Sequence, residues 1–204
     1  MMKKQLIISC FALLSATVFV SSCQKDDNSV TPAVGSVVTL NASAFDKWTY
    51  FSFETGVVAT VADFKKSTDW DIAFHRGDIR VNCGASGIGQ GGSYNAGKVP
   101  FASVTEAPTS GYSLNTTINI LEVYAQPLVY VNVPGDTLVS KWITSVNSNN
   151  GPPGYLFSDD IFVIRTAKGK YAKVWLKDYY NEAALGGYIT MKYAFQKDGS
   201  RKFE

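Results

Sequence analysis

The sequence predicts an all-β domain of antiparallel strands, sandwich-like or barrel-like, with few and short helices. Three observations carry this reading. From residue 37 onward, short runs rich in Val, Ile, Tyr, Phe and Trp alternate with clusters of Gly, Pro, Asn and Asp, the pattern of strands punctuated by turns. No window sustains an apolar stripe at helical spacing beyond two turns. An apolar content of 46%, with 13% aromatic residues, is enough to build a packed core and excludes disorder as the main state.

Taken in order, the first 22 residues stand apart from that domain. Lys3 and Lys4 precede an apolar run over residues 6–20 and then Val20-Ser21-Ser22-Cys23, the layout of a secretory leader. The run is fifteen residues long, short of the roughly 20 that a helix needs to cross a bilayer. Two small residues ahead of Cys23 match a lipobox, in which the cysteine thiol is acylated before cleavage. Ordinary cleavage leaving a free N-terminal thiol is the alternative. Acyl chains such as palmitate contribute about 0.8 kcal/mol per buried methylene, so two or three of them hold a domain at a membrane surface without spanning it. Residues 23–36 then read as a lipidated tether, polar and without hydrophobic period. Within it, Lys25-Asp26-Asp27 resembles a signal for export to the outer face of an outer membrane, with solvated linker charges as the plainer reading. The domain proper is expected over residues 37–204.

Inside the domain, residues 48–53 form a strand ended by Glu54-Thr55-Gly56. Over residues 70–75, Trp70, Ile72 and Phe74 alternate with Asp71, Ala73 and His75, which places three large apolar groups on one face and the polar ones opposite. Residues 118–124 and 128–133 are two strands parted by Ala125-Gln126-Pro127, since proline interrupts a ladder. Residues 161–165 and 171–176 flank a hairpin loop in which Gly169 is available for positive φ. The last strand covers residues 188–195, with Met191 in register with Ile189, Tyr193 and Phe195 on the core face.

Charge and motif content exclude several functions. Two of the 19 Lys and Arg lie in the leader, so the remainder balance the 17 Asp and Glu, which disfavours a nucleic-acid binder. A single histidine and no C-x-x-C exclude zinc sites of clustered His and Cys. Gly87, Gly89 and Gly92 satisfy G-x-G-x-x-G, yet the residues after Gly92 cannot start the helix that holds a pyrophosphate. Gly92 to Lys98 reads G-x-x-x-x-G-K, but Val99 replaces the magnesium-binding hydroxyl. These glycines instead let backbone segments pass close together beside a sheet edge. Cys83 reads as a small buried residue rather than a nucleophile, and His75 as a surface or hydrogen-bonded structural histidine. Asp69 and Asp71 share a strand face; acid–base work by this pair, as in a hydrolase, competes with a plain solvated face. The domain is not expected to be an enzyme.

The residues themselves resemble a known family. Trp70-Asp71-Ile72-Ala73-Phe74-His75-Arg76, then Arg80-Val81-Asn82-Cys83-Gly84 with Ser86, Gly87, Gly89, Gly91 and Gly92, and then Gly97-Lys98 are similar to the HmuY family of haem-binding surface lipoproteins. The likeness continues through Phe162-Val163-Ile164-Arg165, Ala172-Lys173-Val174 with Asp178-Tyr179, and Gly187-Tyr188-Ile189-Thr190. It spans roughly Leu40 to Phe195.

That resemblance implies a hand-shaped all-β fold in which two loops grip haem through axial side chains, a histidine pair in the best-known member and methionines in some relatives. The corresponding segments here, residues 118–136 and 145–155, contain neither His nor Met. Asn150 stands where a ligand would be expected. Tyr124, Tyr130 and Tyr155 lie in or beside the two loops, and a phenolate can hold ferric haem; ordinary aromatic packing is the alternative for each. Tyr155 is the first choice as iron ligand because it borders the Gly-Pro run of the second loop. The implied function is capture of haem or a related tetrapyrrole, without catalysis, for a TonB-dependent outer-membrane receptor. The alternative is the same scaffold without haem ligation, binding another small ligand or a protein.

Overall fold

The computed structural model describes residues 35–146 and 154–203. Among them run β1 (Ser36–Asn41), β2 (Thr49–Ser52), β3 (Val57–Ala59), β4 (Ile72–His75), β5 (Asp78–Val81), β6 (Gly92–Gly97), β7 (Thr116–Val123), β8 (Val129–Gly135), β9 (Ile143–Val146), β10 (Gly154–Phe157), β11 (Ile161–Arg165), β12 (Tyr171–Tyr180) and β13 (Gly186–Gln196). Helix among the described residues is confined to 3-10 turns of three or four residues. The all-β expectation therefore holds.

Two antiparallel sheets make the body, one ordered β1-β13-β12-β11-β6 and the other β3-β2-β4-β5. They face each other across one core, in which Phe51, Ile72 and Phe74 meet Phe162, Val174, Ile189 and Met191. The period-two pattern of β13 explains its side of that core: Ile189, Met191 and Tyr193 are buried while Tyr188, Thr190 and Lys192 between them are not. Strand β11 departs from alternation, with Ile161, Phe162, Val163 and Ile164 all buried. It is an interior strand covered on both faces, since Ile161 packs with Phe101 and Val163 with Phe203 on the side away from the main core. Gly169 has φ 78°, as its hairpin loop requires.

The polar face expected over residues 70–75 is not a solvated face. Asp71 and His75 are as buried as their apolar neighbours. Asp71 accepts hydrogen bonds from the Phe53 amide at 2.8 Å and the Ala167 amide at 3.0 Å, tying one sheet to the other's hairpin loop. Asp69 is exposed, so the two carboxylates form no pair. Trp70 precedes the strand and packs edge-on against Tyr50, with its ring nitrogen donating to the Phe64 carbonyl, rather than joining Ile72 and Phe74. What covers this second face is a layer of aromatic rings from sequence-distant segments. Within it Arg80 is almost fully buried, its guanidinium 3.9 Å from the Trp48 ring centroid and 4.1 Å from that of Phe64. Alternation reveals which residues share a face, not whether another layer covers it.

The glycine-rich stretch is a close approach of backbones. The Asn82 side chain accepts from the Gly89 amide and donates to the Ser67 and Trp70 carbonyls. A Cβ on Gly89 would stand 2.6 Å from the Asn82 carbonyl oxygen and 2.8 Å from the Ala167 Cα. Gly92 to Gly97 is strand β6, which removes both nucleotide motifs. Cys83 is buried, and burial pushes its thiol up to about 11, so it is no nucleophile at neutral pH.

Two ribbons stand outside the main sheets, β7 with β8 and β9 with β10. Both are rooted at the turn side of β4 and β5. Arg80 Nε donates to the Pro134 carbonyl and the Asp136 amide to the Ile79 carbonyl, fixing the end of β8. Asp136 then accepts from the Leu138 and Val139 amides at the start of a 3-10 turn. That turn delivers Trp142, whose indole donates to the Gly77 carbonyl and stacks on Phe157. The roots of both ribbons are thereby tied to the same strand pair.

Candidate functional site

A cleft of about 440 Å³ opens where the ribbons meet one end of the sandwich. Its walls come from separate elements: Phe45 from the loop after β1, Arg76 from the β4–β5 turn, Leu121 and Tyr124 from the first ribbon, Tyr155 from the second, and Tyr179 from the end of β12. A smaller space of about 240 Å³ adjoins it beneath and shares Phe45, Arg76, Leu121, Tyr155 and Tyr179. The combined space falls in the range of small-molecule sites, apolar and aromatic with a few convergent polar groups.

Stacking fixes the aromatic walls. Tyr124 lies on Phe45 with ring centroids 5.2 Å apart and planes 12° from parallel. Tyr155 meets Tyr179 at 4.7 Å and Tyr180 at 6.1 Å. These are the separations at which ring quadrupoles attract. The Tyr179 hydroxyl is held well above the usual phenol range, chiefly by burial, with the Arg76 charge pulling the other way. Its phenolate is therefore disfavoured.

Arg76 supplies the positive charge of the upper cleft. Its guanidinium lies 4.3 Å from the Phe45 centroid and 5.6 Å from that of Tyr179, and one nitrogen donates to the Ser43 carbonyl. Asp78 borders only the lower space, where its carboxylate faces His75.

Neither residue type that the family resemblance would favour for iron lines the upper cleft, and His75 borders only the lower space. His75 is 1% exposed; its Nε2 donates to the Phe45 carbonyl at 2.7 Å and its Nδ1 lies 3.4 Å from Asp78 Oδ2. Both ring nitrogens are committed to holding the loop that carries Phe45. Met191 is buried in the main core. Among the described residues no cluster of His, Cys, Asp and Glu is placed to hold a metal ion.

Of the residues singled out from sequence, Tyr124 and Tyr155 converge on the cleft from opposite ribbons. Tyr124 is 71% exposed and Tyr155 half-buried. Tyr130, 57% exposed, pairs with Leu121 across the first ribbon and so shares its face, but does not line the cleft. Asn150 and Cys23 lie outside the described residues. Sequence reading missed Phe45, Arg76, Tyr179 and Tyr180 as site residues. The one available signal was the Tyr179-Tyr180 pair ending a strand, where the ladder partner of Tyr180 is Gly186, which offers no side chain to pack on. A second cleft of about 440 Å³ lies between Gly35, Phe53, Glu54, Tyr193 and Lys197. Its carboxylate is already paired, Glu54 with Lys170 at 2.9 Å, and no ribbon borders it.

The fold and cleft together define a class: a β-sandwich bearing two ribbons over an aromatic-walled pocket. A family model described as HmuY protein matches residues 44–193, and the chain belongs to the HmuY family. Its fold is similar to that of the apo HmuY analog from Tannerella forsythia, at 24% identity and a TM-score of 0.64 over 83% of this chain and 99% of that one. It is also similar to a protein from Bacteroides vulgatus ATCC 8482 designated HmuY-like and heme binding, at 24% identity and a TM-score of 0.63 over 79% and 96%. Apo PinO from Porphyromonas gingivitis follows the same fold at 18% identity, with a TM-score of 0.62 over 79% and 97%. No curated protein matches the sequence.

Proposed function

We propose that the cleft between the ribbons binds haem or a related tetrapyrrole, without catalysis, and that the protein is a lipid-anchored receptor-feeding binder at the outer membrane. The observation that carries the reading is the convergence of Phe45, Tyr124, Tyr155 and Tyr179 from separate elements on one space open between the two ribbons. Flat aromatic faces suit a planar conjugated ring better than a flexible chain. Family membership and the description of the Bacteroides vulgatus relative as heme binding support it. With His75 and Met191 committed elsewhere, the residues that fit an iron are the cleft tyrosines, and Tyr155 on β10 is favoured over Tyr179 and Tyr180, whose phenolates burial disfavours. A phenolate is a hard anionic donor, so ferric iron is favoured over ferrous.

Titrating the apoprotein with haem in both redox states tests this. A saturable Soret change, larger in the ferric state and weakened by Tyr124→Ala, is expected; unsaturable binding that ignores Tyr124 would refute it. The committed histidine and methionine favour a second reading, the scaffold without iron ligation, for which no Soret shift is expected. Anchoring by Cys23 rests on the lipobox and the tether, and transfer to a TonB-dependent receptor rests on the family resemblance alone. Intact-mass analysis of Cys23→Ala should show loss of the acylated species, and an unchanged acylated mass would contradict the anchor.

A further inference from the structure

Arg76 sits in a conformation that costs free energy. It has φ 52°, the left-handed region that side-chain-bearing residues seldom occupy and that persists where surrounding contacts hold it. Those contacts are visible. Its amide donates to the Ala42 carbonyl, its guanidinium lies over Phe45, and Gly186 leaves the space beside it, since a Cβ there would stand 3.3 Å from Arg76 Nη2 and 2.7 Å from the Tyr179 ring. The backbone is bent so that a cation faces the cleft.

Among the described residues that cation makes no ion pair, and the Asp78 carboxylate of the lower space faces His75 instead. Among the described residues no carboxylate lies within ion-pair distance of Arg76, although four other Lys and Arg side chains do have such partners. The guanidinium carries five N–H donors in a planar fork, and the Ser43 carbonyl takes one of its nitrogens. The Tyr179 hydroxyl lies against another, and the remaining donors border a space in which, among the described residues, Arg76 is the only charged lining residue. A half-buried, unpaired guanidinium set among aromatic rings is suited to a bidentate carboxylate on a flat apolar ligand.

We infer that Arg76 binds a carboxylate of the ligand, so that the cleft selects anionic planar macrocycles whether or not they hold a metal. This rests on the reading of the cleft as a tetrapyrrole site and deepens it. Recognition then resides in the ring faces and the acid group, with iron ligation added where a metal is present, so a metal-free tetrapyrrole acid is also an occupant.

The test uses the lipid-free domain and three probes: ferric haem, free-base protoporphyrin, and the dimethyl ester of that porphyrin, each followed by quenching of tryptophan fluorescence. Free-base protoporphyrin should bind saturably, weaker than ferric haem only by what the iron ligand adds, and its ester about tenfold more weakly than the free acid, the size of one charge-assisted hydrogen-bonded contact. Arg76→Met should bring the acid down to the ester's affinity, and Arg76→Lys should restore part of the difference. Equal binding of acid and ester by the unmodified protein would overturn the inference without any variant. Tight haem binding with no binding of free-base protoporphyrin would overturn it while leaving the tetrapyrrole reading intact. Failure of all three probes would remove both.

Discussion

Replacing Arg80 by Met removes the bolt between the second sheet and the first ribbon, and its cost can be worked from the contacts. Arg80 Nε donates to the Pro134 carbonyl at 2.9 Å and Nη1 to the Tyr50 hydroxyl at 3.2 Å. Each is a bond from a charged donor, worth about 1.5–3 kcal/mol. The guanidinium between Trp48 and Phe64 adds about 1–2 kcal/mol for each desolvated cation–π contact. Against these stands the cost of burying the charge, several kcal/mol, which methionine no longer incurs. That cost is visible in the guanidinium itself, whose pKa burial lowers. The net expectation is a loss of about 2–3 kcal/mol. Arg80→Lys should lose a similar amount, because a compact ammonium cannot fill the slot between two rings or serve both acceptors. Urea unfolding measures the change, with an unaltered m-value expected for a two-state domain. Amide exchange should rise first at Asp136, whose N–H bonds Ile79. A change under about 0.5 kcal/mol in Arg80→Met, the scale of an ordinary surface substitution, would refute the argument that this residue holds the ribbon.

Three further outcomes follow from the same contacts. Tyr155→Phe keeps the ring against Tyr179 and removes only the donor oxygen, so fold stability should shift by less than about 1 kcal/mol while the ferric haem spectrum changes; an unaltered spectrum and affinity would take Tyr155 out of the site. Asp71→Asn should cost about 1–3 kcal/mol at pH 7, since an amide can accept from only one of the Phe53 and Ala167 N–H groups through its oxygen. Burial raises the Asp71 carboxyl pKa, so between about pH 3.9 and that raised value the folded state binds more protons and this group adds stability as pH falls; denaturant titrations at pH 7 and pH 4.5 should show the gain diminished in the variant, and equal pH slopes would contradict it. Gly89→Ala would press a methyl against backbone on both sides and should destabilise by more than about 2 kcal/mol, whereas a melting temperature equal to that of the parent would show the approach to be loose.

The strands were legible wherever one face is core and the other is wet. Along β13 the alternation located Met191 on the core face, and the Gly169 loop marked the β11–β12 hairpin. The alternation did not reveal burial of the polar face at residues 70–75, because Asp71 and His75, like nearby Arg80, are buried with hydrogen bonds satisfied by backbone from distant segments, and burial of that kind leaves no periodic trace. The candidate site was half legible for a related reason. Tyr124 and Tyr155 drew notice through their proximity to the two ribbon segments. Phe45, Arg76 and Tyr179 belong to the same space only because the topology brings the loop after β1, the β4–β5 turn and the end of β12 to one edge of the sandwich. The left-handed backbone at Arg76 gives no sequence signal, since arginine is not a residue that announces positive φ.

The measurement that bears most directly on the cleft is paramagnetic broadening of amide resonances by ferric haem in the isotopically labelled domain. The account predicts line broadening centred on Phe45, Arg76, Tyr124, Tyr155 and Tyr179, saturating at one haem per chain. Broadening centred instead on the distant cleft of Glu54 and Tyr193, or spread over the surface without saturation, would contradict it.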